Sequence, residues 1–197
     1  MHTLLLTGFE PFLDVQLNPS GEVARRLDGA TLGASSGRGL VVSSRVLPVA
    51  FGPAPLELEA ALSALGGEVA AVVSLGVHRG STFRLEGRAR ATFESDQLDN
   101  DGQRGAGVQL DGPAERRTTL DLSRCERWLL DAGAAEVTRS EDAGGYLCER
   151  IYRAGLDAGA RLGLPALFLH VPPVELVGVE AQVRVVRGFL EALAEDL

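Results

Sequence analysis

Short apolar runs alternate along this chain with segments in which apolar side chains return every three or four positions. Thr3–Thr7 and Val69–Leu75 (Val-Ala-Ala-Val-Val-Ser-Leu) are apolar almost throughout, as strands buried on both faces must be. Leu40–Val49 and Ala166–Val171 read the same way. Arg84–Phe93 is a more polar strand or extended segment, and Glu136–Arg139 a short strand. Between them lie helical patterns. Asn18-Pro19-Ser20 opens one, with Asn18 as N-cap, Pro19 in the first turn, and Val23, Ala24 and Leu27 on its inner side. Pro53-Ala54-Pro55 starts a second, through Leu65, closed by Gly66-Gly67. Leu120–Ala132 and Gly144–Ala160 are a third and a fourth. A last helix, from Glu175 or Val179 through Leu193, buries Val183, Val186, Phe189, Leu190 and Leu193. A Gly/Ser-rich turn falls near Gly33–Gly39, and the Gly- and Asp-rich stretch Gln97–Pro113 reads as an exposed excursion. The alternation predicts an α/β fold: a single-domain α/β/α sandwich with a mixed, mostly parallel central sheet and helices on both faces.

Composition narrows the function. The 197 residues suit one well-packed domain, and 45% apolar with 23% charged residues is ordinary for a globular protein. A net charge of −8 disfavours nucleic acid and anionic membrane as partners, since both reward clustered positive charge. All 19 basic residues are Arg, so neither a Schiff-base lysine nor a phosphate-loop lysine exists. Two cysteines are too few for a disulfide framework, and the N-terminus lacks a basic region and a long apolar span. These features predict a cytoplasmic location. Three scattered histidines without metal-ligand spacing predict no metal, and no dinucleotide or phosphate-loop fingerprint predicts a cofactor.

Two rare side chains fall at element ends. Cys148 lies in Ala143-Gly144-Gly145-Tyr146-Leu147-Cys148, one turn inside the expected helix and offset from the stripe Leu147, Ile151, Ala154, Ala158. His170 lies 22 residues later, near the end of an apolar strand that exits through Pro172-Pro173. In open α/β sheets, ligands bind at such carboxyl ends. A helix N-terminus and an imidazolium lower a thiol's pKa, so the pair predicts a thiolate nucleophile. Cys125 shares a face with Leu122 and Leu129 and reads as core. His78, whose neighbours Gly76, Arg79 and Gly80 suggest a ligand-facing loop, is a rival; with Arg79 it fits a nucleoside-processing enzyme gripping a phosphate or ribose. A third group should orient the imidazole. Glu10, Glu86 and Asp99 all qualify, and spacing does not choose among them. Phe9 and Phe12, flanking Pro11, serve either as core or as an apolar wall for a small flat substrate.

Five ordered segments resemble the pyroglutamyl peptidases, a family of cysteine exopeptidases. They are Thr7-Gly8-Phe9-Glu10-Pro11-Phe12 with Asn18-Pro19-Ser20; Leu47-Pro48-Val49-Ala50-Phe51-Gly52; Asp99-Asn100-Asp101-Gly102; Ala143–Cys148; and Phe168-Leu169-His170-Val171-Pro172. The resemblance implies hydrolytic removal of N-terminal pyroglutamate from small peptides, without a cofactor, by a homo-oligomer, usually a tetramer. It implies Cys148 as nucleophile, His170 as base and then acid, and Glu86, 13 residues before Asp99, as the orienting group. It places Phe9, Phe12 and Asn18 at the substrate.

Departures from the family pattern cluster around this set. Leu13-Asp14 replaces a Gly-Gly pair, and Gly87 and Ala91 replace an Arg and an Asn. Asp96 stands where bacterial members carry an Arg associated with the oxyanion, and Arg88 or Arg90 are candidate substitutes. Glu149 follows the nucleophile where Asn is common, and an acid beside a developing oxyanion opposes catalysis. These changes bear on rate and substrate range more than on fold, and they motivate one alternative to the peptidase reading: a diverged homologue with altered acyl specificity or weak or no turnover.

Overall fold

The computed structural model describes residues 2–12, 16–33 and 39–197. Leu13-Asp14 and most of the Gly33–Gly39 turn lie outside the described residues. Four strands form the centre of a seven-stranded sheet: β1 (Thr3–Phe9), β3 (Leu40–Leu47), β4 (Val69–Val77) and β9 (Ala166–Val171). All four are parallel, in the order β3-β1-β4-β9. These are the apolar runs of the sequence. One edge carries the two-residue β2 (Thr31–Leu32), antiparallel to β3. The other carries β5 (Phe83–Glu86), antiparallel to β9, and then β8 (Val137–Ser140), parallel to β5.

Helices cover both faces. On one, α1 (Pro19–Leu27), α3 (Leu122–Asp131) and α5 (Val179–Asp196) bury Val23, Cys125, Leu129, Val186 and Phe189 against Leu4, Leu6, Val73, Leu75, Leu85 and Leu169. On the other, α2 (Pro53–Leu65) and α4 (Leu147–Leu162) cover Leu5, Phe9, Val72 and Phe168. The strand period of two does this sorting. It also sends Thr7, Ser74, Gly76, Arg84, Glu86 and His170, spaced evenly from those residues, to the α4 side of the sheet.

Two expectations change. The polar segment Arg84–Phe93 is two strands, not one. The chain leaves the sheet at Gly87, whose N–H donates to Ser140 O at 2.7 Å, and a Cβ there would meet the Glu141 carboxylate. Beyond it β6 (Arg88–Arg90) forms a hairpin with β7 (Glu115–Arg117). Arg88 and Arg90 need carboxylate partners that a buried sheet does not offer; Arg88 finds Glu115 across the hairpin. The fourth helix begins three residues late. Gly144 (φ 96°) and Gly145 (φ 66°) are left-handed, which no helix accommodates, so α4 starts at Leu147 with Tyr146 as N-cap. Cys148 is therefore its second residue rather than one turn inside.

Candidate active site

The site is assembled where β1, β4 and β9 end beneath the start of α4. Gly8 and Gly21 let β1 and α1 touch: a Cβ on Gly8 would strike Ser20 O, and one on Gly21 would strike Phe9 O. Asn18 caps α1, accepting from Ser20 N (3.2 Å) and Ser20 Oγ (2.8 Å), while its Nδ2 donates to Glu10 O at 2.9 Å. Ser20 Oγ in turn accepts from Phe9 N at 3.1 Å. The loop carrying Phe9 and Phe12 is thus pinned to a helix end. Phe9, Phe12 and Asn18 line one cavity with Val49, Val77, Tyr146, Leu147 and Cys148. Asn18 shapes that wall with its amide already engaged.

Cys148 and His170 meet across Gly76. Gly76 pairs with His170 in the parallel ladder of β4 and β9. A Cβ on Gly76 would stand 2.9 Å from Cys148 Sγ and 2.7 Å from the Phe168 ring, so only glycine admits the sulfur to this spot. The Phe168 and His170 rings lie 4.9 Å apart. His170 Nδ1 lies 2.7 Å from Oε1 of Glu86, which is wholly buried. A carboxylate only accepts, so Nδ1 carries the proton and Nε2 is the basic nitrogen. Among the described residues no hydrogen bond joins sulfur to imidazole; such pairs commonly tighten only with substrate bound.

The surroundings of the sulfur oppose the expected thiolate. Burial, and then the Glu86 carboxylate, push the Cys148 thiol up to about 12, against a smaller downward pull from Arg84. Burial also lowers His170, with the Glu86 hydrogen bond offsetting part of the fall. Both shifts favour the uncharged forms, thiol and neutral imidazole. One turn of favourable helix-end potential is outweighed by desolvation, because the sulfur faces an apolar pocket.

The other acidic candidates have different work. Glu10 is exposed, and among the described residues its hydrogen bonds are those of its backbone, N–H to Leu47 O and carbonyl to Asn18. Asp99 is buried and accepts three backbone N–H groups: Phe51 (2.7 Å), Gln103 (2.7 Å) and Asp101 (3.0 Å). Asn100 donates from its N–H to Val49 O and from Nδ2 to Pro11 O. The Asp-Asn pair therefore stitches together two cavity walls.

Glu149 does not confront an oxyanion unpaired. It is buried, accepts from the N–H groups of Arg90 (2.6 Å) and Gly145 (3.2 Å), and pairs with the Arg90 guanidinium at 3.1 Å. Arg90 is further committed to Asp142 and Glu94, and Arg88 to Glu115 and Glu141, so neither is a spare cation. Asp96 is exposed beside Arg104. His78 is also committed: Nε2 lies 2.6 Å from Thr82 O and Nδ1 accepts from Gly80 N at 3.3 Å. Its ring, 5.8 Å from that of His170, braces the exit of β4 rather than presenting a free nitrogen to a ligand. Cys125 is core, as expected. Among the described residues no three His, Cys, Asp or Glu side chains gather as a metal-binding group.

The family model described as pyroglutamyl peptidase matches residues 1–184. The chain belongs to the pyroglutamyl peptidase family. Among similar family members, the pyrrolidone-carboxylate peptidase of Chromobacterium violaceum is 36% identical over 174 residues, covering 87% of this chain and 78% of that one. That of Pseudomonas fluorescens is 33% identical, covering 90% and 83%. The crystal structure of the pyrrolidone carboxyl peptidase from Fervidobacterium islandicum superposes with a TM-score of 0.87 at 27% identity, covering 99% of both chains. Family membership sets aside the nucleoside-processing reading. Sequence reasoning gave no role to Arg84 or Tyr146, and took Gly76 only as part of a ligand-facing loop around His78. Tyr146 adjoins Cys148 and was within reach; it donates from its hydroxyl to Leu98 O and stacks edge-on against Phe51. Gly76 and Arg84 gain meaning only from strand register.

Proposed function

We propose that this chain is a cysteine exopeptidase in which Cys148, His170 and Glu86 cleave N-terminal pyroglutamate from peptides. The convergence of Cys148 and His170 on the two sides of Gly76, with Glu86 on the far imidazole nitrogen, carries this reading. The flat lactam ring enters between Phe9, Phe12, Val49 and Val77. As sulfur attacks the pyroglutamyl carbonyl carbon, its proton passes to His170 Nε2. A neutral thiol suits a concerted transfer, and the buried Glu86 charge stabilises the imidazolium that forms. The oxyanion accepts from the backbone N–H of Cys148, which as the second helical residue has no intrahelical acceptor. On collapse the carbon–nitrogen bond breaks, and His170 protonates the leaving amine. Water then attacks the thioester, giving its proton to Nε2. The carbon–sulfur bond breaks, free pyroglutamate leaves, and the proton returns to sulfur.

No helix among the described residues is long and apolar enough to cross a membrane. We read the whole chain as one catalytic domain acting in the cytoplasm as a homo-oligomer, tetramer or dimer. Both cysteines are free thiols, consistent with a reducing compartment. Hydrolysis of a pyroglutamyl fluorogenic amide tests the activity. The wild type turns over, Cys148→Ala does not while keeping its fold by circular dichroism, and undiminished turnover by that variant ends the assignment.

A further inference from the structure

The sheet register brings a cation to the imidazole that the reaction as described does not use. Arg84 is the direct partner of His170 in the antiparallel β5–β9 ladder, and both face α4. Its Nε donates to Glu86 Oε1 at 2.8 Å, the same oxygen that accepts from His170 Nδ1 at 2.7 Å. Its Nη2 lies 3.4 Å from Nδ1. Because Nδ1 spends its proton on Glu86, that approach is a contact of positive charge with the ring, not a hydrogen bond. Oε2 of Glu86 is buried without a hydrogen-bond partner among the described residues, so Arg84 is the countercharge of a carboxylate that water does not reach.

We propose that Arg84 is a positioning residue of the Cys148–His170–Glu86 set: it holds Glu86 Oε1 on Nδ1, so that Nε2 stays the free base facing the thiol. This rests on the reading of that set given above. The guanidinium also acts on both reacting groups through space. A positive charge beside the imidazole disfavours its protonated form, and the same charge favours the thiolate. It thereby supplies near the sulfur part of the positive potential that Asp96, Arg88 and Arg90 do not. The other titratable groups around His170 are His78 at the exit of β4, Glu86 on β5, and Cys148, Glu149 and Tyr152 on α4. On β8 the register partners of Arg84 and Glu86 are the uncharged Thr138 and Ser140. Tyr152 donates to Glu86 O at 2.7 Å and stays protonated.

The test is the pH dependence of Cys148 alkylation by iodoacetamide, which needs no peptide turnover, in wild type, Arg84→Gln and Arg84→Lys. Carrying the Cys125→Ser change in all three confines labelling to one thiol. Arg84→Gln keeps an N–H for Oε1 but loses the charge. It should slow alkylation about tenfold at pH 7 and move the acid limb of the alkylation profile up by about one unit, the usual size for a charge at this range. Arg84→Lys should restore most of both. A merely structural arginine would lower rates evenly, with the limb unmoved, and that result overturns the proposal. If both variants unfold, nitrogen NMR of wild-type His170 decides: the account requires neutral imidazole protonated at Nδ1 at pH 7, and an Nε2–H tautomer or an imidazolium contradicts it. Loss of peptide cleavage in the wild type would fail the peptidase reading while leaving the alkylation profile to judge Arg84.

Discussion

The surroundings of Cys148 and His170 favour their uncharged forms, and that sets the pH behaviour of the site. The base is His170, whose pKa lies below its ordinary 6.5 because burial penalises the imidazolium more than Glu86 rewards it. A base with a lowered pKa stays neutral to lower pH, so the acid limb of kcat/KM should fall below pH 6.5. A limb at 6.5 or above would show an exposed imidazole. Glu86→Gln keeps an acceptor for Nδ1 and removes the charge that stabilises the imidazolium. It should lower kcat by roughly 100-fold or more, with KM nearly unchanged. The sequence made Cys148 and His170 visible because each is rare and sits at an element end. Glu86 needed the motif spacing. Arg84 and the harmless role of Glu149 were not legible, since each depends on a partner brought in by the fold: Arg84 on His170 across the sheet, Glu149 on Arg90 59 residues away.

At the scale of elements, the site depends on close approaches that tolerate no added atoms. Gly76→Ala would place a methyl 2.9 Å from Cys148 Sγ and 2.7 Å from the Phe168 ring. Overpacking of this kind costs about 1–3 kcal/mol, and here it also displaces the nucleophile. Activity should fall far more than the denaturation midpoint does. The Asp99 carboxylate, holding three N–H groups, joins the excursion to the segment after β3. Asp99→Ala strands those donors, at about 1–3 kcal/mol, and loosens the wall that Val49 gives the cavity. KM should rise more than kcat falls. The strands and helices of the sandwich were plain in the hydrophobic pattern, because burial on two faces writes itself into apolar runs. The β6–β7 hairpin was hidden: its pairing is carried by Arg–Glu contacts across a 24-residue loop (91–114), and charge carries no period.

For the molecule as a whole, the buried thiols make stability fall in alkali. Burial pushes Cys125 and Cys148 each up to about 12, from a starting value of 9.0. Above pH 9 the unfolded chain releases those protons and the folded one does not, so stability is full below 9 and declines as pH rises toward 12. Urea midpoints at pH 8 and pH 10.5 should differ, and Cys125→Ala should shrink the difference. Beneath these effects lies the claim that Cys148 carries the acyl group. Rapid acid quench of the enzyme with a pyroglutamyl substrate, followed by mass analysis of its peptides, tests it most directly. A pyroglutamyl adduct on the peptide containing Cys148, absent from Cys148→Ala and accumulating when deacylation is slowed, is the predicted result. Turnover with no adduct on that peptide under any condition would contradict the account.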